Sequence, residues 1–512
     1  MFYPSVIENI AHHAQETPDK LCLADATKVL TYKEVWDAAT GLAMELGSPA
    51  GPIAMQGGTP LTKGACIVVE CNQSVDYMVW EFAAHLLKAV FVPLEKSAAL
   101  ARTLEIVGDT DAVLYVGNES NREQVAKPFL PMQAACDYAC NKKDRADGKY
   151  VASIDPEMID FPKSDDVSEI LFSTGTTGKS KGIVLTHGND IAIAENVCTG
   201  VEQKPDNVEM IPMPTSHSHG LRRTYANMCN GSSVVFLDGV MFLKKMFKMM
   251  DDYHVTSMDL SPSMLSIIFK LGKDRLGDYA DVMDYIQLGS APLPEEDKQH
   301  LARILPKTRL YNFYGSTEAG CSCLLDFNKM SGKPGCIGKP AVNAHFIIVD
   351  ENRNEIESSK DNIGFLASSG AINMREYFKA PELTAETMQN GYIYTKDTGY
   401  IDEEGLVYML GRKDDVINYG GIKISPEELE AVIVKNPAIA DCALIPIKDE
   451  LTGQAPKLFI QLEEAAGDLD MKAFKAWLAE SIDANKQPKV IEIIDEIPRT
   501  FNGKIIRKKL ME

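Results

Sequence analysis

The sequence lacks several features that would mark a membrane, secreted or nucleic-acid-binding protein. No apolar run reaches about 18 residues, which excludes an obvious membrane-spanning helix. The first 20 residues contain no basic segment followed by an apolar core, so they do not resemble a signal peptide. Basic residues are outnumbered, 52 against 73 acidic ones, and the net charge of -21 argues against nucleic acid or an anionic membrane as the main partner.

The cysteines also lack a recognisable binding pattern. There are eleven, an odd number without regular spacing, which indicates a reduced protein and hence a cytoplasmic location. Neither Cys136 with Cys140 nor Cys321 with Cys323 has the paired spacing of a zinc site. Packing or lining of a pocket is the role we expect for them.

What the sequence does contain is an alternation of strands and helices typical of an α/β protein. Thr31 and Glu34 form a capping box that predicts a helix over 32–46. Apolar runs at 65–69 and 90–94 flank an amphipathic stretch at 74–88, which predicts a βαβ unit, and a run at 111–116 continues the series. Because this pattern recurs, we expect a mostly parallel sheet covered by helices.

At 512 residues the chain is too long for one core, so two or more domains are expected. Residues 118–165 are polar and weakly patterned, as in a passage to a second sheet-and-helix lobe. Short alternating runs after Gly332 predict a small β-rich subdomain. Beyond Gly411 a charged segment precedes about 100 residues with their own helix and strand signals, which indicates a separate C-terminal domain on a hinge.

The stretch 173–182, STGTTGKSKG, has the composition of a phosphate-binding loop. It contains three glycines, five hydroxyl residues and two lysines. Glycines let the backbone approach a ligand, hydroxyls and bare N–H groups donate hydrogen bonds, and lysines neutralise charge. This combination suits a polyphosphate. The alternative is a flexible surface loop rich in Gly, Ser and Thr.

This loop differs from a Walker A motif, although Gly178-Lys179-Ser180 matches the end of that motif. Ser173 stands where the motif requires glycine. The flanking runs 169–172 and 183–186 have the composition of strands, whereas a Walker A loop joins a strand to a helix. The sequence therefore predicts a mobile hairpin.

Two further signatures carry groups suited to a nucleotide. In 311–318, YNFYGSTE, an aromatic ring beside glycine offers a stacking face, and Thr317 and Glu318 offer a hydroxyl and a carboxylate for Mg²⁺ beside phosphate oxygens. In 394–399, YTKDTG, Asp397 can accept hydrogen bonds from ribose hydroxyls. Taken alone, Glu318 is more often a solvated surface acid, and Asp397 is simply a turn residue.

A fourth segment, 411–430 (GRKDDVINYGGIKISPEELE), is long enough to be specific. Together with 173–182 and the C-terminal 498–504 (PRTFNGK), it resembles the adenylate-forming superfamily, which includes acyl-CoA synthetases and the other AMP-dependent synthetases and ligases. The resemblance spans the chain in the family's order. It implies an α/β fold: a large N-terminal domain (1–411) of two sheet-and-helix lobes plus a small β-rich subdomain, a hinge (412–415), and a smaller mobile α+β C-terminal domain (416–512).

The resemblance implies a reaction in two halves. A carboxylate attacks the α-phosphate of ATP to give an acyl-adenylate and pyrophosphate, and a thiol then displaces AMP. The resemblance assigns four groups of residues to the parts of ATP. The outer phosphates are assigned to Thr174, Gly175, Thr176, Thr177, Gly178, Lys179 and Lys181, and the adenine to Ser290, Ala291, Pro292, Tyr314 and Gly315. The α-phosphate and Mg²⁺ are assigned to Thr317 and Glu318, and the ribose to Asp397 and Arg412.

Lys504 is implied to bridge the attacking carboxylate and the α-phosphate oxygens. A dehydrated ammonium aimed at such a transition state contributes on the order of 10²- to 10³-fold in rate. Without the resemblance, Lys504 would be interpreted as part of a basic tail. Asp414 matches the family's hinge, and rotation about it would bring Gly420, Gly421 and Lys423 to line a channel for coenzyme A. Lys396 and Ser180 depart from the family's usual glycine and proline without removing a reacting group.

The substrate is only partly specified by the sequence. His217, in PTSHSHG, matches the position that lines the family's acyl pocket, although a histidine there can also simply pack. No aspartate occurs between Ile211 and Leu237, which counts against an amino acid substrate. Arg222 or Arg223 can neutralise a second substrate carboxylate, but a solvated or phosphate-facing arginine is the favoured interpretation. A short aliphatic, medium-chain or aromatic acid all remain candidates.

Free coenzyme A is the acceptor we expect, because no carrier-protein domain follows Lys504. The expected function is therefore an AMP-forming carboxylic acid–CoA ligase of fatty acid or aryl acid metabolism. The alternatives are an enzyme that loads a separate carrier protein and a nucleotide-binding homologue without catalysis. Neither a nucleic acid nor a membrane span is expected, and the oligomeric state stays open, with a homodimer as one option.

Overall fold

The computed structural model of the chain describes residues 2–96, 98–135, 154–174, 180–330, 332–412, 415, 417–419, 422–449, 453–464, 467, 469–482, 486–500 and 503–511. Within these ranges the protein is a mixed α/β structure built from three sheets with helices packed on them. A large N-terminal part holds two sheets and a smaller C-terminal part holds the third. The predicted fold class is confirmed.

The helices of the described ranges are α1 Val6–Glu16, α2 Tyr32–Gly47, α3 Val75–Leu86, α4 Leu100–Asp109, α5 Arg122–Val125, α6 His187–Gly200, α7 Ser218–Asn230, α8 Leu243–Tyr253, α9 Pro262–Gly272, α10 Glu295–Ile304, α11 Pro381–Thr387, α12 Pro426–Ile433, α13 Met471–Ser481 and α14 Arg507–Met511. None of them is both long enough and apolar enough to cross a bilayer.

The strands of the first half are β1 Leu21–Ala24, β2 Val29–Thr31, β3 Cys66–Glu70, β4 Val90–Leu94, β5 Leu114–Gly117, β6 Phe129–Pro131, β7 Val167–Thr174, β8 Ser180–Thr186, β9 Val208–Ile211, β10 Ser233–Phe236, β11 Ser257–Leu260 and β12 Tyr285–Leu288. Those of the second half are β13 Arg309–Ser316, β14 Gly320–Asp326, β15 Cys336–Pro340, β16 His345–Val349, β17 Gly364–Ser369, β18 Glu376–Tyr377, β19 Met388–Gln389, β20 Tyr392–Ile401, β21 Val407–Arg412, β22 Ile417–Tyr419, β23 Ile422–Ile424, β24 Ile439–Asp449, β25 Gly453–Leu462 and β26 Val490–Ile493.

The first sheet has the order β18-β8-β7-β4-β3-β5-β6. Its strands β3 to β7 are mutually parallel, and β8 and β18, at one end of the sheet, run antiparallel to their neighbours. This matches the predicted βαβ series, with α3 as the crossover helix between β3 and β4. Strand β6 lies in the polar passage 118–165, where no strand was predicted.

The second sheet runs β16-β17-β20-β21-β15-β14-β13-β12-β11-β9-β10-β1-β2. From β1 to β13 the pairings are parallel, and from β13 onward they are antiparallel. The β-rich region predicted after Gly332 is therefore present, and β15 hydrogen-bonds to β14, so this region continues the parallel sheet. In a parallel sheet ligands bind beyond the carboxyl ends of the strands, which here are followed by the predicted nucleotide residues.

The C-terminal residues build a smaller sheet, β23-β22-β25-β24, with β26 parallel to β25. Its apolar core, which includes Ile417, Leu444, Ile460 and Phe474, is separate from the core of the two larger sheets. Burial of apolar side chains is the main favourable contribution to folding, so this part has its own source of stability.

Local signals in the sequence fix several helix starts. Thr31 and Glu34 make both hydrogen bonds of the predicted capping box at the start of α2. Ser74 caps α3, and Thr186 with Asn189 caps α6. The nine cysteines within the described ranges are all buried as free thiols, as expected for packing residues.

Candidate active site

The predicted phosphate loop joins two strands of one hairpin. Strands β7 and β8 pair antiparallel, and the last pair is Thr174 with Ser180. The predicted residues Gly175, Thr176, Thr177, Gly178 and Lys179 lie outside the described residues, and the side chain of Thr174 is not described. The strand–loop–strand arrangement is nevertheless that of a hairpin, which separates it from a Walker A loop.

Lys181 and Glu318, which the sequence assigned to different motifs, meet at one aromatic ring. The Lys181 ammonium lies 5.7 Å from the centroid of the Tyr377 ring. The hydroxyl of Tyr377 donates a 2.8 Å hydrogen bond to Oε1 of Glu318. Burial and the Glu318 carboxylate raise the pKa of Tyr377, so the hydroxyl keeps its proton and remains a donor. Tyr377 was not predicted as a site residue, since no motif marks it.

Glu318 lies in the turn between β13 and β14, next to half-buried Thr317. Gly315 allows this turn, since a Cβ there would lie 2.0 Å from the carbonyl oxygen of Gly320. Among the described residues no group of three or more His, Cys, Asp and Glu could hold a metal ion by itself. A metal ion at Glu318 would therefore need ligands from elsewhere, such as phosphate oxygens.

Asp397 is held between two predicted nucleotide residues. It lies opposite Arg412 across the β20–β21 pair, and the Nε of Arg412 is 3.2 Å from its Oδ1. The hydroxyl of Tyr314 donates to its Oδ2. Burial, and then the Asp397 carboxylate, raise the pKa of Tyr314 well above its ordinary range. The structure thus brings together the residues that the sequence assigned to adenine and to ribose.

Lys504 reaches this region from the C-terminal end of the chain. Its backbone is held in a turn, because Thr500 N donates to Lys504 O at 2.8 Å and Lys504 N donates to Thr500 Oγ1 at 3.1 Å. The preceding Gly503 lies against the first turn of α9, where an added Cβ would be 2.8 Å from the Cβ of Ser263. The C-terminal segment therefore contacts the N-terminal part beside the nucleotide residues.

The environment of Lys504 is electrostatically distinctive. Desolvation lowers its pKa, the positive charge of Arg412 lowers it further, and Asp397 acts in the opposite direction. These interactions place the Lys504 amino group near the Asp397–Arg412 pair. Lys504 is exposed, so its amino group is accessible to a ligand.

Most of the predicted hinge and channel residues lie outside the residues that the structure describes. Asp414, Gly420 and Gly421 lie outside the described residues, and Lys423 is in β23 with its side chain not described. Gly411, the next-to-last residue of β21, has φ +142°, a conformation that favours glycine. Asp414 as a pivot and the channel stay predictions.

The adenine segment 290–292 follows β12 at the carboxyl edge of the parallel sheet. Ser290 is half-buried with φ +73°, and its Oγ lies 2.7 Å from Nδ1 of His219. Ala291 is half-buried and Pro292 is exposed. His219 itself was not predicted as a site residue, although it stands two positions after the predicted His217 in the same PTSHSHG segment.

His217 precedes the first residue of α7, with its Nε2 3.4 Å from Oε1 of Glu95. Its pKa is lowered by desolvation, which the Glu95 carboxylate partly offsets. Its side chain is 27% exposed, so it can face a ligand at the carboxyl edge of the sheet.

Both predictions for Arg222 and Arg223 are wrong. Neither arginine is solvated or available to a substrate, because both are buried and paired within the protein. Arg223 donates to Oε1 of Glu209, with Nε at 3.1 Å, and to Gln287 and the Tyr285 hydroxyl at 3.0 and 2.8 Å. The sequence shows two adjacent basic residues but not the acids that surround them, which come from other elements.

Arg222 lies in a second buried cluster between the two large sheets. It donates to Glu169 of β7 and, at 2.6 Å, to Asp190 of α6. The Tyr225 hydroxyl donates to Glu169 at 2.8 Å and contacts Glu81 of α3. Burial raises the pKa of Glu81 well above its usual range and that of Asp190 to about 8. Arg222 is thus the cation of a cluster of three buried acids.

Comparison with known families decides the identity of the fold. The family model described as AMP-binding enzyme matches residues 10–378, and the model of its C-terminal domain matches residues 428–504. The chain belongs to the AMP-binding enzyme family. The resemblance to adenylate-forming enzymes that the motifs indicated is thereby confirmed.

Among the relatives of this family member are two ligases with different named substrates. A 4-coumarate–CoA ligase-like protein of Oryza sativa subsp. japonica is 27% identical over 512 residues, covering 96% of this chain and 90% of that protein. A long-chain-fatty-acid–CoA ligase of Bacillus subtilis is 28% identical over 380 residues, covering 73% of this chain and 65% of that protein.

Solved structures share the same fold over the whole chain. ATP-bound MatB from Rhodopseudomonas palustris has a TM-score of 0.85 at 23% identity, covering 98% of both chains. O-succinylbenzoate coenzyme A synthetase from Bacillus subtilis, in complex with ATP and magnesium ion, has a TM-score of 0.83 at 21% identity, covering 99% of both chains.

Proposed function

We propose that this member of the AMP-binding enzyme family is an AMP-forming acyl-CoA ligase. It activates a carboxylic acid with ATP and transfers the acyl group to coenzyme A. The observation that carries this proposal is the placement of Lys504 beside Asp397 and Arg412, more than 90 positions away in the chain. A cation delivered to a nucleotide site by a separate C-terminal part fits a reaction in which two anions must meet.

ATP binds across the carboxyl edge of the second sheet. Asp397 and Arg412 hold the ribose, because a carboxylate accepts hydrogen bonds from the hydroxyls and the guanidinium donates them. Adenine lies between Tyr314 and the segment 290–292. The ring of Tyr314 is already fixed by its hydrogen bond to Asp397, so little of its rotational freedom is lost on binding. The loop 174–181 wraps the outer phosphates, with Lys181 at its end.

Glu318 fits a magnesium ion that is shared with phosphate oxygens. Its Oε1 accepts the Tyr377 hydrogen bond, and its Oε2 has no hydrogen bond from a described residue. Carboxylate and hydroxyl oxygens, as on Glu318 and Thr317, are the ligand types that Mg²⁺ prefers. When bound there, the ion neutralises charge on the phosphate oxygens. The protein's own contribution is the carboxylate orientation fixed by Tyr377.

Lys504 acts in the first half of the reaction. The substrate carboxylate attacks the α-phosphorus, pyrophosphate leaves, and negative charge concentrates on the oxygens around phosphorus. A partly desolvated ammonium interacts with this charge more strongly than one in water, and it also draws the two anions together. The positive charge of Arg412 lowers the pKa of Lys504, and the negative charge of Asp397 raises it.

The second half of the reaction uses the same pocket after the C-terminal part rotates about Asp414. Rotation withdraws Lys504 and brings Gly420, Gly421 and Lys423 to the site, where they line the path of the coenzyme A thiol. The thiol then attacks the acyl carbonyl and AMP leaves. Movement of this kind lets one binding site serve two chemistries.

Neither Arg222 nor Arg223 is available to a second carboxylate of the substrate, since both guanidiniums are already neutralised by buried acids. The proposed substrate is therefore a monocarboxylic acid. His217 and Phe313 line the acyl end, which suits an aliphatic or an aromatic acid. Free coenzyme A is the acceptor, and a separate carrier protein is the second candidate.

A screen of carboxylic acids tests the proposal. Purified protein is incubated with ATP, Mg²⁺ and one acid from an aliphatic, aromatic or dicarboxylic panel, with and without coenzyme A, and AMP and thioester are measured. We expect AMP and acyl-CoA to form in equal amounts with at least one acid. If AMP forms only when a carrier protein is added, the enzyme loads the acid onto that carrier. If no acid leads to AMP formation, the proposed enzymatic activity is contradicted.

A further inference from the structure

An array of three polar side chains lies at the carboxyl edge of the second sheet, and two of them, Asp259 and His219, have no part in the proposed ligase chemistry. Asp259 lies on β11 and His219 on α7. Ser290 is the second residue after β12. Nε2 of His219 is 2.8 Å from Oδ1 of Asp259, and Nδ1 of His219 is 2.7 Å from Oγ of Ser290. One imidazole thus connects a carboxylate to a hydroxyl, both at short hydrogen-bond distance.

Burial fixes the direction of these hydrogen bonds. Asp259 is fully buried and the His219 side chain is 7% exposed. An ionised carboxylate only accepts, so Nε2 of His219 carries a proton and donates it to Asp259. In the neutral ring Nδ1 then has a free lone pair, and the Ser290 hydroxyl donates to it. This is the arrangement in which a serine can lose its proton to a histidine that a carboxylate orients.

The backbone at Ser290 has the form of a nucleophile turn. Ser290 lies between β12 and α10 and has φ +73°, in the left-handed region that is uncommon for residues other than glycine. The preceding Gly289 leaves no room for a side chain, because an added Cβ would be 1.9 Å from Cε1 of Phe313. The nucleophile of α/β-hydrolases is also a strained serine that follows a strand, although there the helix begins directly after it and here residues 291–294 precede α10.

The surroundings hold the imidazole in place. Phe313 packs its ring edge-on against His219, with the centroids 4.6 Å apart. Oδ2 of Asp259 is buried without a hydrogen-bond partner among the described residues, so the hydrogen bond of its Oδ1 to His219 is the one that its carboxylate makes there. Ser290 is half-buried, and it belongs to the segment 290–292 that is proposed to contact the adenylate.

We propose that Ser290, His219 and Asp259 form a hydrolytic centre that cleaves acyl-adenylate when no thiol takes the acyl group. Oγ of Ser290 attacks the acyl carbonyl carbon and its proton passes to Nδ1 of His219. The bond from the carbonyl carbon to the phosphate oxygen breaks, and AMP leaves with the proton from His219. Water then attacks the Ser290 ester and transfers a proton through His219 to Oγ, which releases the acid. The sum is acyl-adenylate and water to carboxylic acid and AMP.

This inference rests on the proposed function, because the substrate of the hydrolysis is the product of the first half-reaction. Its test supplies that substrate directly. Synthetic butyryl-adenylate and benzoyl-adenylate are given to the full-length protein without ATP, pyrophosphate or coenzyme A, and AMP release is followed. We expect Ser290→Ala and His219→Ala to slow the release by about 10²-fold or more. Ser257→Ala is the matched control, since this buried serine lies on β11 two residues from Asp259.

A second measurement looks for the ester itself. Acid-quenched samples of the wild type, taken while butyryl-adenylate is being consumed, should carry the acyl mass on the peptide containing Ser290. Asp259→Asn should slow both steps, because the imidazole loses the carboxylate that orients it. Ser290→Cys keeps a nucleophile at the same place and should accumulate the corresponding thioester. Equal AMP release by wild type and Ser290→Ala, or no acyl mass at position 290 in either the wild type or Ser290→Cys, would overturn the inference.

The two proposals fail separately. Acid-dependent exchange of pyrophosphate into ATP by the wild type tests adenylation alone. If exchange occurs but the hydrolysis of acyl-adenylate does not depend on Ser290, only the hydrolytic centre is overturned. Absence of exchange with every acid would overturn the proposed ligase, whatever the outcome with supplied acyl-adenylate.

Discussion

The hydroxyl of Tyr377 donates a 2.8 Å hydrogen bond to Oε1 of Glu318, although the two residues are 59 positions apart. The same ring lies 5.7 Å from the ammonium of Lys181. Strand β18, which carries Tyr377, pairs with β8 of the phosphate-loop hairpin. One tyrosine therefore connects the carboxylate proposed for Mg²⁺ with the end of the loop proposed for the phosphates.

Tyr377→Phe should slow adenylation without disturbing the fold. The variant keeps the ring and its contact with Lys181 but removes the donor to Glu318. A single hydrogen bond of this kind contributes about 0.5–1.5 kcal/mol, so the rate of acid-dependent pyrophosphate exchange should fall roughly 2- to 10-fold. Tyr392→Phe is the control, because its hydroxyl has no hydrogen bond to a described residue. An unchanged rate in Tyr377→Phe would show that Glu318 needs no such support.

Lys504→Ala should separate the two half-reactions. Loss of the desolvated ammonium should slow adenylate formation on the order of 10²- to 10³-fold. Formation of acyl-CoA from supplied acyl-adenylate should stay near the wild-type rate, because Lys504 is withdrawn in that step. Lys508→Ala removes an exposed lysine four positions later and serves as the control. Equal loss of both half-reactions in Lys504→Ala would contradict the rotation.

Arg222→Met should destabilise the N-terminal part. The substitution leaves the buried Glu169 carboxylate without its cation, and breaking a buried ion pair in this way costs about 3–5 kcal/mol. Scanning calorimetry should show a clear fall in the unfolding temperature. Lys248→Met removes the lysine of the exposed Lys248–Asp252 pair and should leave that temperature unchanged. A wild-type unfolding temperature in Arg222→Met would mean that the cluster is not stabilised by this arginine.

Buried His187 gives stability a predictable pH dependence. Desolvation lowers its pKa from 6.5 to about 3, so between these values the unfolded chain binds a proton that the folded protein does not. Above about pH 6.5 this group therefore costs the folded protein no stability through protonation. Below that pH the free energy of unfolding falls by about 1.4 kcal/mol per pH unit, because only the unfolded chain binds the proton.

His187→Phe removes this titration and keeps a ring against His85, whose centroid lies 4.7 Å away. The difference in unfolding free energy between variant and wild type, measured by urea denaturation from pH 4 to 6.5, should change with that slope. Comparison by difference is needed because the raised pKa values of Glu81 and Asp190 act in the opposite sense. Parallel curves for the two proteins would show that His187 is protonated in the folded state.

Local signals made much of the fold predictable. The capping box at Thr31, the βαβ pattern and the apolar runs on either side of 173–182 each depend on residues close in sequence, and each is present. The motif residues Tyr314, Asp397 and Arg412 were assigned to one nucleotide from resemblance, and the structure brings them into contact.

Contacts between distant elements were not predictable. The partners of Arg222, Glu169 and Asp190, are 53 and 32 positions away on other elements, so the sequence could not show that its charge is neutralised. Tyr377 carries no motif, and its role follows only from the pairing of β18 with β8. His219 lies beside His217 in a recognised segment, but its carboxylate partner comes from β11, 40 positions later.

An isotope experiment tests the adenylation chemistry most directly. The protein is given ATP, coenzyme A and an accepted acid whose carboxylate oxygens are both ¹⁸O, and the products are analysed by mass spectrometry. Attack of the carboxylate on the α-phosphorus predicts AMP with one ¹⁸O atom and unlabelled pyrophosphate. Unlabelled AMP, or label in inorganic phosphate with ADP as the nucleotide product, would contradict the account.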